Sequence, residues 1–217
     1  MVKQARAQIT RDAIILGAAK AFDRQGYGMA SIADIAAEAS VTKGALYFHF
    51  QSKDEIAHAV IEQQHDRSFS AGAAIIEEGL PAIETMIRLC ASLAEQLVTD
   101  PIVQAGIRLT TDVSNFERPV ADPYEDWLRT FETLTARGIE EGDIVATLDP
   151  AMIAHFIIPS FTGVQLVSET LAGRTDLLQR VREMWTILLP AFVPADRYDA
   201  LKDLPQLVPT TPAAPAS

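Results

Sequence analysis

The sequence predicts an all-α protein of about nine helices, with a small N-terminal helix-turn-helix domain and a larger helical domain after it. Apolar residues recur at intervals of three and four through most of the 217 residues, which is the spacing of amphipathic helices. No segment has the two-residue alternation of β-strands, and no internal repeat is found. Several predicted helices begin at proline and end near glycine, as helix termini prefer.

Cap residues divide the N-terminal quarter of the chain into four helices. Apolar residues at helical spacing end at Gly26, which predicts a first helix over about 9–25. The next three helices each follow a hydroxyl side chain able to accept hydrogen bonds from the first helical turn; these N-caps are Ser31, Thr42 and Ser52. Asp34 stands three residues after Ser31, which is the spacing of a capping box.

Longer apolar-periodic segments follow, and a proline-containing tail closes the chain. The predicted helices lie at about 81–98, 101–110, 121–141, 149–172 and 174–192. Four prolines follow Pro194, so we expect the end of the tail to lack fixed structure. The expected organisation is a helix-turn-helix domain at 1–52, a larger helical domain at 53–195, and a flexible tail at 196–217.

Charge is distributed unevenly along the chain. The net charge is −11, yet residues 1–53 hold seven basic and four acidic side chains, a net +3, which leaves −14 for the remainder. A basic N-terminal unit on an acidic body is typical of a protein that binds nucleic acid through one part only.

Cys90 is the single cysteine, which excludes an internal disulfide. With no export signal and no uninterrupted apolar run of about 18 residues, we expect a cytoplasmic protein with no membrane partner.

The segment "SVTKGALYFHF" (40–50) has the composition of a recognition helix. Two short helices joined by a tight turn form a helix-turn-helix, whose second helix enters the DNA major groove. Lys43 supplies a cation, Gly44 allows close backbone approach, and Tyr47 lies one turn after Lys43 on the same face. Leu46 and Phe50 are expected to anchor this helix from behind.

The N-terminal sequence resembles the DNA-binding domain of TetR-type repressors. The resemblance rests on "SIADIAAEASVTKGALYFHFQSKDEI", preceded by "KQARAQITRDAIILGAAKAFDRQGYGMASI", and covers about residues 5–60. Ser40 stands where the family usually has glycine. The resemblance implies contact with a pseudo-palindromic operator in double-stranded DNA. Lys53, together with the backbone amide donors at the start of the fourth helix, is expected to form a second phosphate clamp. The expected DNA-contacting residues are Arg6, Ser31, Thr42, Lys43, Gly44, Tyr47, His49 and Lys53.

Within that family, the chain looks like the γ-butyrolactone autoregulator receptors. The supporting segments are "VTKGALYFHF", "DPIVQAGIRL", Trp127 and "FTGVQLVS" at 161–168. Such receptors repress secondary metabolism of the antibiotic type and leave DNA when a small lactone binds. The resemblance implies that Trp127 closes over the lactone and that Gln64 and Thr162 hydrogen-bond its head group. Apolar residues expected to line the remaining pocket, although core packing explains each equally well, are Met86, Leu89, Phe131 and Phe161.

Two later segments predict a homodimer. "FIIPSFTGVQLVSETLAG" and "VREMWTILLPAF" are apolar over wide helical faces, as in a four-helix bundle shared by two subunits. Dimerisation also suits a helix-turn-helix, because two half-sites one helical turn apart require two-fold symmetry.

Two alternatives remain open at this point. One is a TetR-type repressor of an efflux pump that senses lipophilic drugs. The other is a helical metal-dependent enzyme, prompted by Glu55-x-x-His58 and Glu62-x-x-His65. Di-metal bundles place such motifs on different helices, whereas both of these lie on one predicted helix. We therefore expect no metal, no cofactor and no enzymatic activity.

Overall fold

The computed structural model of the chain describes residues 2–111 and 121–212, and it confirms the all-α prediction. Within those ranges the chain forms ten α-helices and one 3₁₀ helix, and no strand. The helices are α1 Val2–Gln25, α2 Ile32–Glu38, α3 Lys43–His49, α4 Lys53–Glu77, α5 Ala82–Thr99, α6 Pro101–Thr111, α7 Asp122–Glu140, α8 Pro150–Ala172, α9 Leu177–Phe192 and α10 Ala195–Leu201, with the 3₁₀ helix at Leu204–Leu207.

The chain folds as two compact units that do not follow the predicted boundary at residue 52. The N-terminal unit contains residues up to Phe69 together with α6, and the C-terminal unit contains 70–99 and the described residues after 121. Within the N-terminal unit, α6 packs along α1. A boundary drawn along the sequence cannot represent a later helix that returns to an earlier unit.

The N-terminal unit is held together by one apolar core. Its members are buried side chains of α1, α2, α3, α4 and α6 and of the loops beside them. Its large members are Ile14, Ile15, Phe22, Ile35, Leu46, Phe50, Ile56, Ile61, Ile102 and Leu109. Burying side chains of this size contributes about 1.5–3 kcal/mol each. The short α2 and α3, which would not be stable alone, are therefore fixed by packing.

The C-terminal unit is built from α5, α7, α8 and α9, with the following segment packed against it. The expectation of a flexible tail is wrong for residues 196–208. Arg197 donates to the buried Asp143 carboxylate at 2.8 and 2.6 Å, Arg182 Nε donates to the carbonyl of Val208 at 3.0 Å, and Val208 is fully buried. Proline in this tail ends helices but does not prevent packing. The end of the tail, 213–217, lies outside the described residues.

Among the described residues, α8 alone has the length and hydropathy of a membrane span. Length and composition do not separate such a span from the core helix of a globular domain. α8 packs along α7 and α9, and its inward face buries Ile153, Ile157 and Phe161. Its other face exposes Met152, Phe156, Leu166, Val167 and Leu171.

Candidate nucleic-acid interface and ligand site

The helix-turn-helix is set by the predicted caps. The Ser31 hydroxyl accepts from the Asp34 backbone N–H at 3.2 Å, and the Asp34 carboxylate accepts from the Ser31 N–H at 2.9 Å, which completes the capping box. Thr42 accepts from the Ala45 N–H at 3.1 Å at the start of α3. Between these helices, Ser40 has φ of +54°, the left-handed conformation that costs a non-glycine residue about 1 kcal/mol.

The two faces of α3 are oriented as the sequence predicts. Leu46 and Phe50 are buried in the core of the N-terminal unit, whereas Lys43 is exposed and Tyr47 is 51% exposed. Tyr47 lies one helical turn from Lys43, so the two exposed side chains share one face of α3. The outward face of α3 thus combines a cation, a phenol hydroxyl and an apolar ring.

Gly44 is not required by packing within the protein. A β-carbon at this position would meet only the Thr42 hydroxyl oxygen, at 3.9 Å. By contrast, a β-carbon on Gly17 would come within 2.6 Å of the Ala39 backbone nitrogen, so Gly17 is needed where α1 and α2 meet. The bare backbone at Gly44 therefore leaves space on the outside of the molecule.

Phe48 was not among the predicted contacts. It is 78% exposed beside Tyr47, with its ring 5.2 Å from the ring of the half-buried His49 in an edge-on arrangement. Its exposure could be predicted from its position in α3, because it follows Tyr47 by one residue and faces away from Leu46 and Phe50. It extends the outward surface of α3.

The structure contradicts the expected role of Lys53 as a free phosphate clamp. Its ammonium donates to the carbonyls of Tyr27, Gly28 and Ala30 at 2.8, 3.3 and 3.1 Å. It also lies 4.5 Å from the centre of the Tyr27 ring. Three acceptors use all three N–H donors of an ammonium. Lys53 therefore ties the α1–α2 loop to the start of α4.

The remaining predicted DNA contacts lie on the surface of the same unit. Arg6 is exposed on α1, and Ser31 is exposed at the start of α2. The hydroxyl of Ser31 also donates to the Asp34 carboxylate at 2.5 Å. These hydrogen bonds hold the pKa of Asp34 below its usual 3.8, so the carboxylate stays ionised near neutral pH.

In the C-terminal unit, the structure brings together four of the predicted ligand residues. Trp127 of α7 is half-buried and lies edge-on to Phe131, with ring centres 6.4 Å apart. Leu89 of α5 and Trp127 both lie against Gly72, at the end of α4. Met86 is buried one turn before Leu89, and its sulfur lies 3.9 Å from the Thr135 hydroxyl. These residues form an aromatic and aliphatic wall.

Phe161 and Thr162 lie on α8, and Gln64 lies on α4. Phe161 is buried on α8, while Thr162 donates to the Ile158 carbonyl at 3.0 Å and lines an open groove with Tyr124, Leu128 and His155. Gln64 belongs to the N-terminal unit, where it is 1% exposed and its amide nitrogen donates to Ser68 at 3.2 Å. Its head-group contact stays a prediction.

Comparisons with known proteins agree along the chain. Residues 14–60 match the family described as bacterial regulatory proteins, tetR family, and 80–194 match the tetracyclin repressor-like C-terminal domain. The A-factor receptor protein of Streptomyces griseus is 38% identical over 88% of this chain, and the alignment spans 66% of that relative's length. The chain belongs to the TetR family.

Solved structures of this TetR family match nearly the whole chain. A gamma-butyrolactone receptor described as ArpA-like has 32% identity and a TM-score of 0.81, covering 94% of this chain and 98% of its own. CprB from Streptomyces coelicolor, solved with its biological operator sequence, has 32% identity and a TM-score of 0.79 over the same shares of each chain. As a TetR-family regulator, the chain is a DNA-binding protein and not an enzyme.

Proposed function

We propose that the chain is a cytoplasmic, homodimeric repressor that leaves its operator when a γ-butyrolactone-type signal binds. The observation that carries this proposal is the outward face of α3, where Lys43, Gly44 and Tyr47 are presented while Leu46 and Phe50 anchor the helix. The similarity to receptors of γ-butyrolactones supports the choice of ligand over the lipophilic drugs sensed by efflux-pump repressors.

On the DNA, the outward face of α3 enters the major groove of each half-site. The Lys43 cation and the Tyr47 hydroxyl meet phosphates, while the open backbone at Gly44 approaches the base edges or thymine methyls. Operator affinity then falls with salt by about 0.9 log units per log of salt for each phosphate neutralised. The acidic remainder of the chain repels DNA and limits contact to the basic unit.

The dimer that reads two half-sites uses the apolar faces of α8 and α9. Phe156 and Ile187 are 60% and 75% exposed, and they line one groove between these helices with Val167 and Leu188. An apolar surface of this kind, left open on one chain, is characteristic of an interface between subunits. Two copies of the α8–α9 pair form the four-helix bundle expected from the sequence.

Release of the operator follows from a change in conformer population. Trp127, Phe131 and Leu89 form an apolar wall for the acyl chain of the lactone. α4 is one continuous helix from Lys53 to Glu77, and it directly follows the recognition helix α3. A shift of its last turns against Trp127 therefore changes the direction of its first turns as well. Inverting a 99:1 preference between two conformers requires about 5.5 kcal/mol of differential binding.

Two substitutions test the separation of the two activities. Tyr47→Ala abolishes operator binding in a mobility-shift assay and leaves lactone binding intact, because Tyr47 is an exposed surface residue. Trp127→Ala leaves operator binding intact and abolishes release by an acylated γ-butyrolactone. The proposal fails if each substitution impairs both activities to the same extent while the proteins remain folded.

A further inference from the structure

Gln165 of α8 is a buried side chain without hydrogen bonds. It is 1% exposed, and neither its amide nitrogen nor its amide oxygen has a partner among the described residues. Buried polar side chains in folded proteins are almost always hydrogen-bonded, because an unpaired buried amide costs about 1–3 kcal/mol. A buried amide with both atoms unsatisfied therefore requires an explanation.

The neighbouring buried polar groups do have partners. Ser168, nearly one turn further along α8, is fully buried and donates to the Asp176 carboxylate at 2.5 Å. Thr135 of α7 donates to the Phe131 carbonyl at 2.7 Å, and Thr85 of α5 donates to the Leu80 carbonyl at 3.1 Å. These three buried hydroxyls are satisfied within the C-terminal unit, whereas both polar atoms of the Gln165 amide lack a partner among the described residues.

Gln165 lies on the face of α8 that points into its unit. It follows Phe161 by one helical turn, and Ile157 precedes Phe161 by another, so the three residues share one stripe. This stripe belongs to a helix that packs along α7, the helix that carries Trp127 and Phe131. The inward face of α8 is thus apolar apart from Gln165 and Ser168, and the Ser168 hydroxyl is paired with Asp176. Ligand sites place a few polar groups on mostly apolar linings to fix orientation.

We propose that Gln165 is a head-group-binding residue for the effector. This inference rests on the proposed function, because it assigns a contact within the same lactone site. A glutamine amide offers two N–H donors and one acceptor oxygen. A lactone carbonyl accepts from the N–H, and a hydroxyl on the same ligand donates to the oxygen, so one ligand satisfies both unpaired atoms.

A ligand-binding role and a structural role for Gln165 predict opposite effects of its removal on the stability of the free protein. A glutamine kept for packing is destabilising to remove. A glutamine kept for a ligand is a cost to the free protein, so replacing it by an apolar side chain of similar volume is neutral or stabilising. The stability of the free protein and its affinity for the ligand should therefore change independently, or in opposite directions.

The experiment compares wild-type protein with Gln165→Leu and Gln165→Met, the second keeping an unbranched chain of similar length. Calorimetry gives the Tm of the ligand-free dimers, and titration calorimetry gives their affinity for a synthetic γ-butyrolactone with a long acyl chain. We expect the Tm to hold or rise by about 2–4 °C and the affinity to fall about tenfold or more, the effect of about 1.4 kcal/mol.

Ser168→Ala serves as the matched control, because it removes a buried polar group that has an internal partner. It lowers the Tm and leaves the lactone affinity unchanged within about twofold. If wild-type protein binds the lactone and both Gln165 variants bind it equally well, or both unfold at clearly lower temperature, Gln165 is structural and the inference is overturned. If wild-type protein binds no γ-butyrolactone, the proposed function itself fails, and this inference fails with it.

Discussion

Trp127 lies against Gly72 so closely that a β-carbon on Gly72 would stand 3.3 Å from the indole Cη2 and 3.2 Å from Leu89 Cδ2. Both distances are tighter than ordinary contacts between side chains. The glycine allows the last turns of α4 to approach the indole of α7 and the leucine of α5. Gly72 thus contributes to the proposed lactone site because the absence of a side chain leaves space for Trp127 and Leu89.

Gly72→Val is expected to disturb effector binding more than DNA binding. The branched side chain must displace Trp127 and Leu89, and overpacking of this kind costs about 1–3 kcal/mol. Titration with an acylated γ-butyrolactone should show weaker binding, while mobility shift on operator DNA at a temperature well below the Tm should be unchanged. Equal lactone affinity in Gly72→Val and wild-type protein would show that the Gly72–Trp127 contact is not part of the lactone site.

Gly44→Ala is expected to keep or slightly raise the stability of the protein and to weaken its binding to operator. A methyl group at position 44 meets only the Thr42 hydroxyl oxygen, and alanine is a better helix former than glycine by about 1 kcal/mol at interior positions. The same methyl group keeps the backbone of α3 away from the base pairs. We expect an unchanged or slightly higher Tm with operator affinity reduced about tenfold or more.

Gly17→Ala provides the contrast within the same unit, since its β-carbon meets the Ala39 backbone and should lower the Tm. Unchanged operator affinity in Gly44→Ala would show that the backbone of α3 does not approach DNA at this point.

Lys53→Met is expected to act on stability. The substitution keeps the aliphatic stem but removes three hydrogen bonds to the carbonyls of residues 27–30 and the contact with the Tyr27 ring. The loss should be about 2–3 kcal/mol of unfolding free energy in urea. Lys20→Met, which removes an exposed lysine from α1, should cost much less. A folded Lys53→Met protein with full stability and a smaller salt dependence of operator binding would restore the phosphate-clamp role.

Asp34→Asn is expected to change the acid limb of the stability curve. The hydrogen bonds from Ser31 lower the pKa of Asp34 in the folded protein below 3.8. Since the unfolded chain then binds the proton more readily, this stabilisation is present above the unfolded pKa and is lost as pH falls through the folded pKa. Thermal melts between about pH 2 and 6 should show a shallower loss of Tm for Asp34→Asn. An unchanged slope in Asp34→Asn would show that the Ser31–Asp34 hydrogen bonds do not shape the acid limb.

Ile187→Glu is expected to separate the subunits. The side chain is 75% exposed in the groove between α8 and α9, and a carboxylate buried there on association would lose its hydration. Arg180 lines the same groove, but its guanidinium already pairs with Asp176 at 2.6 Å. Light scattering after size exclusion should report a monomer, with operator affinity lost because two half-sites are no longer read together. Thr133→Glu, on the exposed side of α7, should remain dimeric. A dimeric Ile187→Glu protein would place the subunit interface on another surface.

Local features of the fold could be predicted from the sequence because their causes lie within a few residues. The caps at Ser31, Thr42 and Ser52 use hydrogen bonds to a backbone N–H three residues away. The division of α3 into an outward and an inward face follows from helical spacing alone. The left-handed conformation at Ser40 occurs where the resembled family usually has glycine.

Only the tertiary structure decided which distant groups meet. Lys53 looked like a free cation at a helix start, but its ammonium is used by carbonyls more than 20 residues earlier. The contact of Trp127 with Gly72, the return of α6 to α1 and the unpaired amide of Gln165 have the same origin. Each depends on side chains brought together by packing of the whole core, and such packing is not encoded in any short segment.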